Sequence, residues 1–412
     1  MVKVYSKALD QFIEIERIIG HIKGSQPGPT LIFIAGIHGN EPAGIFALHK
    51  VLNVIKNKKI NIKGNIYAIS GNLPALARGE RYQKEDLNRL WNIDRVKDLS
   101  EQHNDFDTNT DIEQQRDIYH IIKKILNIEN GPFYFMDLHT TSSKTIPFLT
   151  VNDSLLNRKY TMQYPIPMIL GIEEYLDGPL LSYINELGYV SFGFEGGQHD
   201  DPAAIQNHIS FIYLTMIFAN SITKTDISYN YHYNLLLKAS ETPMGIYEIY
   251  WRYQIKEDEV FKMKPGFVNF QHILKGEQLA HSNGKIITAS KNGRIFMPLY
   301  QNQGNDGFFA IHSVHPIFLK LSTILRKAHF DNIITILPGI HWASNKKNEL
   351  TVNLKIARFF TKQFFHLLGY RSKQVDKTHL NLKNRESASK NREYRYTSWS
   401  KSRNLLSKTF NQ

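Results

Sequence analysis

TLIFIAGIHGNEPAG, residues 30–44, decides how the chain folds. Residues 30–36 form a short, nearly continuous apolar run bounded by Pro29 and Gly36. Such a run suits a strand buried on both faces of a parallel sheet. A helix should follow: from Pro42 to Ile55 the apolar residues Ile45, Phe46, Leu48, Val51, Leu52 and Ile55 recur at helical spacing. Glu41 and Pro42 stand at its entry, where an acidic group and a proline are both favoured.

The same alternation continues outward. Residues 65–71 and 132–139 read as strands around a helix from Asp111 to Leu126; then come a Leu/Ile-containing segment at 172–187, a strand at 190–196 and a long helix at 202–220. Strands alternating with helices predict an α/β catalytic domain over 1–224 with a mostly parallel sheet. From Tyr229 to about Ile311 short β-leaning runs (IYEIYW, FVNFQ, KIITA, GRIFMPLY, GFFAIH) alternate with turn residues, so 225–345 is expected to be a smaller C-terminal β domain. A helical segment from Val352 to Leu368, within 346–370, closes the folded part.

Composition narrows the function classes. At 412 residues the chain exceeds the roughly 250–300 at which one core stops growing, so at least two structural units are expected. With 42% apolar residues it is globular, and with no cysteine it has no disulfide, thiolate metal ligand or thiol nucleophile. Any metal must use His, Asp or Glu. The charged N-terminus does not read as a signal peptide, and the most apolar window, Ile209–Ile222, is too short and too polar to span a membrane, which points to a cytoplasmic protein. Of the net charge of +12, residues 371–412 supply eleven Lys/Arg against three Asp/Glu. That basic stretch has few aliphatic residues and is expected to be a disordered, solubilising tail; a touch on RNA or an anionic membrane is the alternative. Walker A, G-x-G-x-x-G and G-x-S-x-G signatures are absent.

Three strand ends carry candidate chemistry. His38 and Glu41, at a strand-to-helix corner, can converge on one cation, although Glu41 alone also suits a helix dipole. Asp137 and His139 in FMDLHTT share one side of a strand; His139 offers a third ligand, and Asp137 suits the partner that orients a ligating imidazole, against the alternative of a satisfied core histidine. Glu195, ending the apolar strand in FGFEGGQHD, would be partly desolvated and so suited to shuttling a proton, unless it pairs structurally with a cation. Two His and one Glu leave an open zinc position, where water reaches a pKa of ~7. Between these lies ERYQKEDLNRLW, residues 80–91, clustering Arg81, Asp86, Asn88 and Arg89 where open α/β sheets collect ligands.

With these motifs in order, the chain resembles the succinylglutamate desuccinylase and aspartoacylase family, zinc amidohydrolases related to zinc carboxypeptidases. The match runs from about Thr30 to Ala219 through GIHGNEPAG, RYQKEDLNRLW, DLHTT and FEGGQ. The resemblance implies a phosphorylase/hydrolase-like fold, one zinc ion held by His38, Glu41 and His139, and Glu195 as general base and acid. It implies that Arg81 polarises the scissile carbonyl and that Asn88 and Arg89 hold a substrate carboxylate. GRIFMPLYQNQGNDGFFAI resembles the family's proline-containing strand pair and makes Tyr300 a candidate to face the cleft. One departure bears on substrate: Leu176 through Phe194 contain no Lys or Arg, where the aspartoacylase branch has an arginine for the amino-acid carboxylate. This argues against N-acetylaspartate and N-succinylglutamate as substrates and leaves two alternatives: a smaller or differently charged N-acyl compound, or Arg252 or Arg294 as the substitute.

The resulting expectation is a zinc-dependent amidohydrolase cleaving a small N-acyl substrate of the N-acyl amino acid type. A metallocarboxypeptidase for short peptides is the alternative, and a basic nucleic-acid-binding protein with an inactive core the more distant one; no specific nucleic acid partner and no transmembrane segment are expected, and a homo-oligomer is left open.

Overall fold

The computed structural model describes residues 1–100, 110–240, 245–356, 362–374 and 379–401. At its centre run the strands Gln26–Ala35, Lys63–Ser70, Phe133–Thr141 and Val190–Gln198, adjacent and parallel. Their residues alternate between two cores, as the period of a strand requires. Leu31, Phe33, Ala35, Tyr134, Met136, Leu138, Phe192 and Phe194 face the helices Ala43–Asn57 and Pro202–Phe218. Ile32, Ile34 and Phe135 pack on the other side against Thr110–Ile128 and Leu180–Glu186. Burial on both faces is why these segments read as unbroken apolar runs.

The fold class is α/β, as expected, and among the described residues the sheet has eleven strands. It is mixed: one parallel set runs from Lys63–Ser70 to Val190–Gln198, a second joins Phe148–Val151, Met168–Leu170 and Ile246–Gln254, an antiparallel pair links the two sets, and both edges are antiparallel. Ile18–Lys23 joins Lys63–Ser70 antiparallel at one edge, while Phe148–Val151 pairs antiparallel with Val190–Gln198. Ile246–Gln254, Gly293–Phe296 and Asp306–Ser313, expected in a separate β unit, extend this same sheet, because Ile246–Gln254 pairs in parallel with Met168–Leu170. A small antiparallel sheet of Phe261–Met263, Gln278–Ser282 and Lys285–Thr288 covers that end. A further four-stranded sheet, from Ile340–Trp342, Glu349–Asn353, Tyr370–Gln374 and His379–Asn384, forms a smaller C-terminal lobe.

Several expectations fail here. Tyr229–Ala239 is a helix, not a β run. FVNFQ forms a turn beside the two-residue strand His272–Ile273. The helix placed over 352–368 is replaced by the strand Glu349–Asn353 and the short helix Lys362–Leu367, residues 357–361 lying outside the described residues.

The stretch from 371 is not a disordered tail in its described part. Tyr394 and Trp399 are 1% and 3% exposed. The Trp399 indole donates to the Tyr134 hydroxyl at 3.0 Å, and the Tyr394 hydroxyl accepts from Val190 N–H at 2.9 Å and donates to the Phe133 carbonyl. Two aromatic anchors and long-range pairing of basic residues replace the aliphatic periodicity on which the disorder expectation rested. Residues 375–378 and 402–412 lie outside the described residues.

Behind the sheet, Asp153 is fully enclosed by guanidinium groups: Arg158 Nη2 and Arg326 Nη2 each at 2.7 Å, and Arg385 Nη1 at 3.3 Å. Burial alone would raise the Asp153 carboxyl; the three arginines overcome this and hold it far below the usual carboxylate range. Arg385 also pairs with Glu173 at 2.9 Å and with Glu174, which ties the C-terminal lobe to the 172–174 turn beside the cleft.

Candidate metal centre and catalytic cleft

The strand Gln26–Ala35 ends in a sharp corner. Gly36 takes φ 70°, a left-handed conformation that glycine adopts without steric cost. At Gly39 a Cβ would lie 2.1 Å from the Ala75 carbonyl carbon, so only glycine lets the loop press against the helix Leu73–Arg78. Gly71 N–H to Ala35 O and Asn72 N–H to Gly36 O, both 2.8 Å, fasten the corner to the next strand's end. His38 and Glu41 are thereby held just before the helix Ala43–Asn57. On the neighbouring strand Leu138 pairs with Ala35, which places His139 one step beyond the corner, and Glu195 lies opposite His139 on the strand after that. Four side chains distant in sequence meet at the carboxyl ends of three adjacent strands, where open α/β sheets bind ligands.

The ligand atoms of His38, Glu41 and His139 all lie within 4.8 Å of one another. Glu41 bridges the two imidazoles, its Oε1 2.9 Å from His38 Nδ1 and its Oε2 3.1 Å from His139 Nδ1, while Thr140 N–H donates to Oε2 at 2.9 Å. Each imidazole meets a second carboxylate on its far side. Asp86 Oδ1 lies 3.1 Å from His38 Nε2, and Asp137 Oδ2 lies 2.8 Å from His139 Nε2, off the line of an N–H there. Both rings thus present Nδ1 inward with an aspartate beside Nε2: Asp86 hydrogen-bonds His38 there, as the partner of a ligating histidine does, while Asp137 stands close to His139 without that bond. Asp86 is the member whose role the sequence did not single out; its signal was the N-cap position before Leu87–Arg89.

Burial alone would raise the Glu41 carboxyl, and His38 and His139 outweigh it, so its pKa falls well below the usual range. Burial would lower His139, but Asp137 and Glu41 raise it well above an ordinary histidine. At Glu195 the balance goes the other way: burial, reinforced by Glu41 and Asp137, outweighs His139 and Arg81 and pushes it up to about 8. Its Oε2 is buried and has no hydrogen-bond partner in the structure. Two imidazoles and one carboxylate converging, with an orphaned acid beside them, suit a tetrahedral N/O cation site.

Arg81, half-buried, lies 3.5 Å from Glu41 Oε1 and 3.2 Å from Asp86 Oδ2. Asn88 Oδ1 accepts from Leu180 N–H at 2.9 Å. Arg89 Nη2 meets Asp306 Oδ2 at 2.9 Å, and Arg252 Nε meets Asp306 Oδ1 at 2.6 Å. Arg252 therefore reaches the cleft rim, whereas Arg294 is held by the Phe270 carbonyl at 2.7 Å. Tyr300 spends its hydroxyl on the Lys264 carbonyl at 2.7 Å, and the wall it was a candidate for is supplied by Met297, Leu299 and Gln301. His199 was also missed: it is half-buried between Thr140 Oγ1 at 2.7 Å and Gln301 Oε1 at 3.1 Å, and its pKa is lowered by desolvation.

Above the ligands lies a cavity of about 130 Å³. Ile172, Leu176, Leu181 and Phe309 make its apolar wall, facing Arg81, Arg89 and Asp306. It is smaller than the roughly 300 Å³ at which drug-sized sites begin, so it suits a compact ligand.

Residues 27–199 match the model of the succinylglutamate desuccinylase/aspartoacylase catalytic domain. A succinylglutamate desuccinylase of Pseudomonas putida is 42% identical over 65 residues, 16% of this chain and 19% of that protein. One of Photorhabdus laumondii is 39% identical over 75 residues, 18% of this chain and 22% of that protein. The chain thus spans about a fifth of the length of these curated relatives. The solved succinylglutamate desuccinylase of Vibrio parahaemolyticus superposes with a TM-score of 0.52 at 13% identity, covering 75% of this chain and 95% of that one. The Vibrio cholerae structure gives 0.52 at 14% with the same coverage. At that identity the likeness is one of fold.

Proposed function

We propose, from the premise that residues 27–199 belong to the succinylglutamate desuccinylase/aspartoacylase catalytic domain family, that this chain is a zinc-dependent hydrolase. Its substrate is a small N-acylated, carboxylate-bearing compound of the N-acyl amino acid type, cleaved at the amide bond. The observation that carries the reading is the buried His38–Glu41–His139 group with Glu195 orphaned beside it.

One zinc ion per chain would be held by His38, Glu41 and His139, with Asp86 and Asp137 orienting the imidazoles. Zinc, when bound there, supplies a Lewis acid that makes water nucleophilic near neutral pH. Glu195 Oε2 takes the proton of the attacking water and passes it to the departing amine, the two-way duty of a general base and acid. Arg81, kept charged between Glu41 and Asp86, donates to the carbonyl oxygen as negative charge develops. Asn88 and Arg89 hold the substrate carboxylate. Two guanidiniums sharing Asp306 leave one positive charge in excess at the rim, so Arg252 supplies the charge that residues 176–194 lack. The compact cavity favours this reading over a peptidase.

Screening hydrolysis across N-acyl amino acids and short peptides tests it. Glu195→Gln should retain the metal and lose about 10²–10⁴-fold in turnover; full activity in that variant removes the mechanism.

A further inference from the structure

The helix Pro316–Lys327 is inside out. Its buried face carries Leu319, Ser322 and Arg326, and Arg326 is fixed there by Asp153 at 2.7 Å and Glu386 at 3.1 Å. On the opposite face Ile317, Leu321 and Ile324 stand 41–63% exposed, and Phe318, 55% exposed, lies at its flank. At 100° per residue Ile317, Leu321 and Ile324 fall on one stripe, with Lys320 and Lys327 along its edge, both exposed. After a short turn the chain presents Ile333, Ile336 and Leu337, exposed by 36–81%. A soluble surface rarely gathers so many large aliphatic side chains in one place.

Charge is distributed to match. Residues 307–412 contain nineteen Lys/Arg against five Asp/Glu, a net +14, while residues 1–306 contain 31 against 33 and net −2. The helix itself, PIFLKLSTILRK, carries exposed Lys320 and Lys327 and no acidic residue. Among the described residues no helix is long and apolar enough to cross a membrane. An apolar stripe edged by lysines on a surface helix suits the interfacial plane of a bilayer, where side chains enter the acyl boundary and cations meet anionic headgroups.

We propose that this face is a peripheral docking surface for an anionic lipid bilayer. Ile317, Phe318, Leu321 and Ile324 insert, and Lys320 and Lys327 contact the headgroups. The proposal is independent of the hydrolytic reading, since none of these residues lines the cleft.

Flotation of the full chain tests it, with phosphatidylcholine vesicles and with vesicles carrying about 30 mole per cent phosphatidylserine. Binding should require the anionic lipid and should weaken steeply between about 0.1 M and about 1 M salt. Ile317→Glu/Ile324→Glu should abolish flotation, and Lys320→Ala/Lys327→Ala should weaken it about thirtyfold. Both variants should keep the wild-type melting temperature and hydrolysis rate; Lys320→Ala/Lys327→Ala leaves the stripe intact should the first fail to fold. Absent flotation, flotation equal on both vesicle types, or flotation that neither variant changes overturns the proposal. So does a concentration-dependent dimer in sedimentation velocity, or RNA binding, that Ile317→Glu/Ile324→Glu removes while no vesicle is bound.

Discussion

Replacing Asp86 by Asn probes how the metal centre is held from outside its ligands. Asp86 joins three things: its Oδ1 lies 3.1 Å from His38 Nε2 and accepts Asn88 N–H at 2.9 Å, and its Oδ2 lies 3.2 Å from Arg81 Nη2. Asparagine preserves the shape and the backbone contact but removes the charge that makes the His38 ring a strong donor through Nδ1. Losing such an outer partner weakens metal affinity about 10–100-fold, or ~1.4–2.8 kcal/mol. Zinc affinity measured by competition with a chromogenic chelator should fall by that amount, with His38→Ala falling much further. Asp137→Asn should also weaken it, but by less, because the Asp137 carboxylate lies 2.8 Å from His139 Nε2 without lying on the line of an N–H there. Wild-type affinity in both variants would show that the aspartates do not orient the imidazoles, and the paired arrangement would lose its meaning.

Other consequences are equally concrete. Asp306→Asn releases Arg89 and Arg252 from their shared carboxylate, so KM for a dicarboxylic N-acyl substrate should fall roughly tenfold (~1.4 kcal/mol) relative to a monocarboxylic one, measured by steady-state kinetics. Asp153→Asn should cost about 3–5 kcal/mol in urea unfolding at neutral pH, since it leaves buried guanidiniums uncompensated. Because the folded Asp153 pKa lies below the unfolded value of about 3.9, its contribution is complete above that pH and fades as the pH falls, so wild type and variant should converge in acid. His366 is the opposite case. Burial lowers it, but Glu174 and Glu248 outweigh that and raise its pKa, so its contribution is full below about 6.5 and is lost as the pH climbs through the raised value; His366→Gln should then flatten the alkaline side of the stability profile. Trp399→Ala should destabilise by about 3–5 kcal/mol, read by thermal unfolding, because a fully buried ring leaves a cavity.

The central strands and the helices between them were legible because residues buried on both faces leave unbroken apolar runs, as at 30–36 and 133–138. The site was legible for a related reason: His38, Glu41, His139 and Glu195 each interrupt such a run at its carboxyl end, where no packing demand explains a polar residue. What escaped depends on long-range pairing. Asp86 was legible as a member of the 80–91 cluster but its hold on His38 was not, and Asp306 looks like an ordinary loop acid until Arg89 and Arg252 are brought beside it. The last hundred residues escaped for the same reason. Arg326 and Arg385 are core residues only because Asp153, Glu173 and Glu174 wait for them, and Trp399 only because Tyr134 offers its hydroxyl. Counted without those partners, the same stretch looks too polar to fold.

Elemental analysis of the purified chain bears most directly on the whole account. The prediction is about one zinc per chain, lost on Glu41→Ala together with amide hydrolysis, and restored activity when zinc is returned to stripped wild-type protein. A chain that hydrolyses N-acyl amino acids at full rate after its metal has been removed would contradict the account outright.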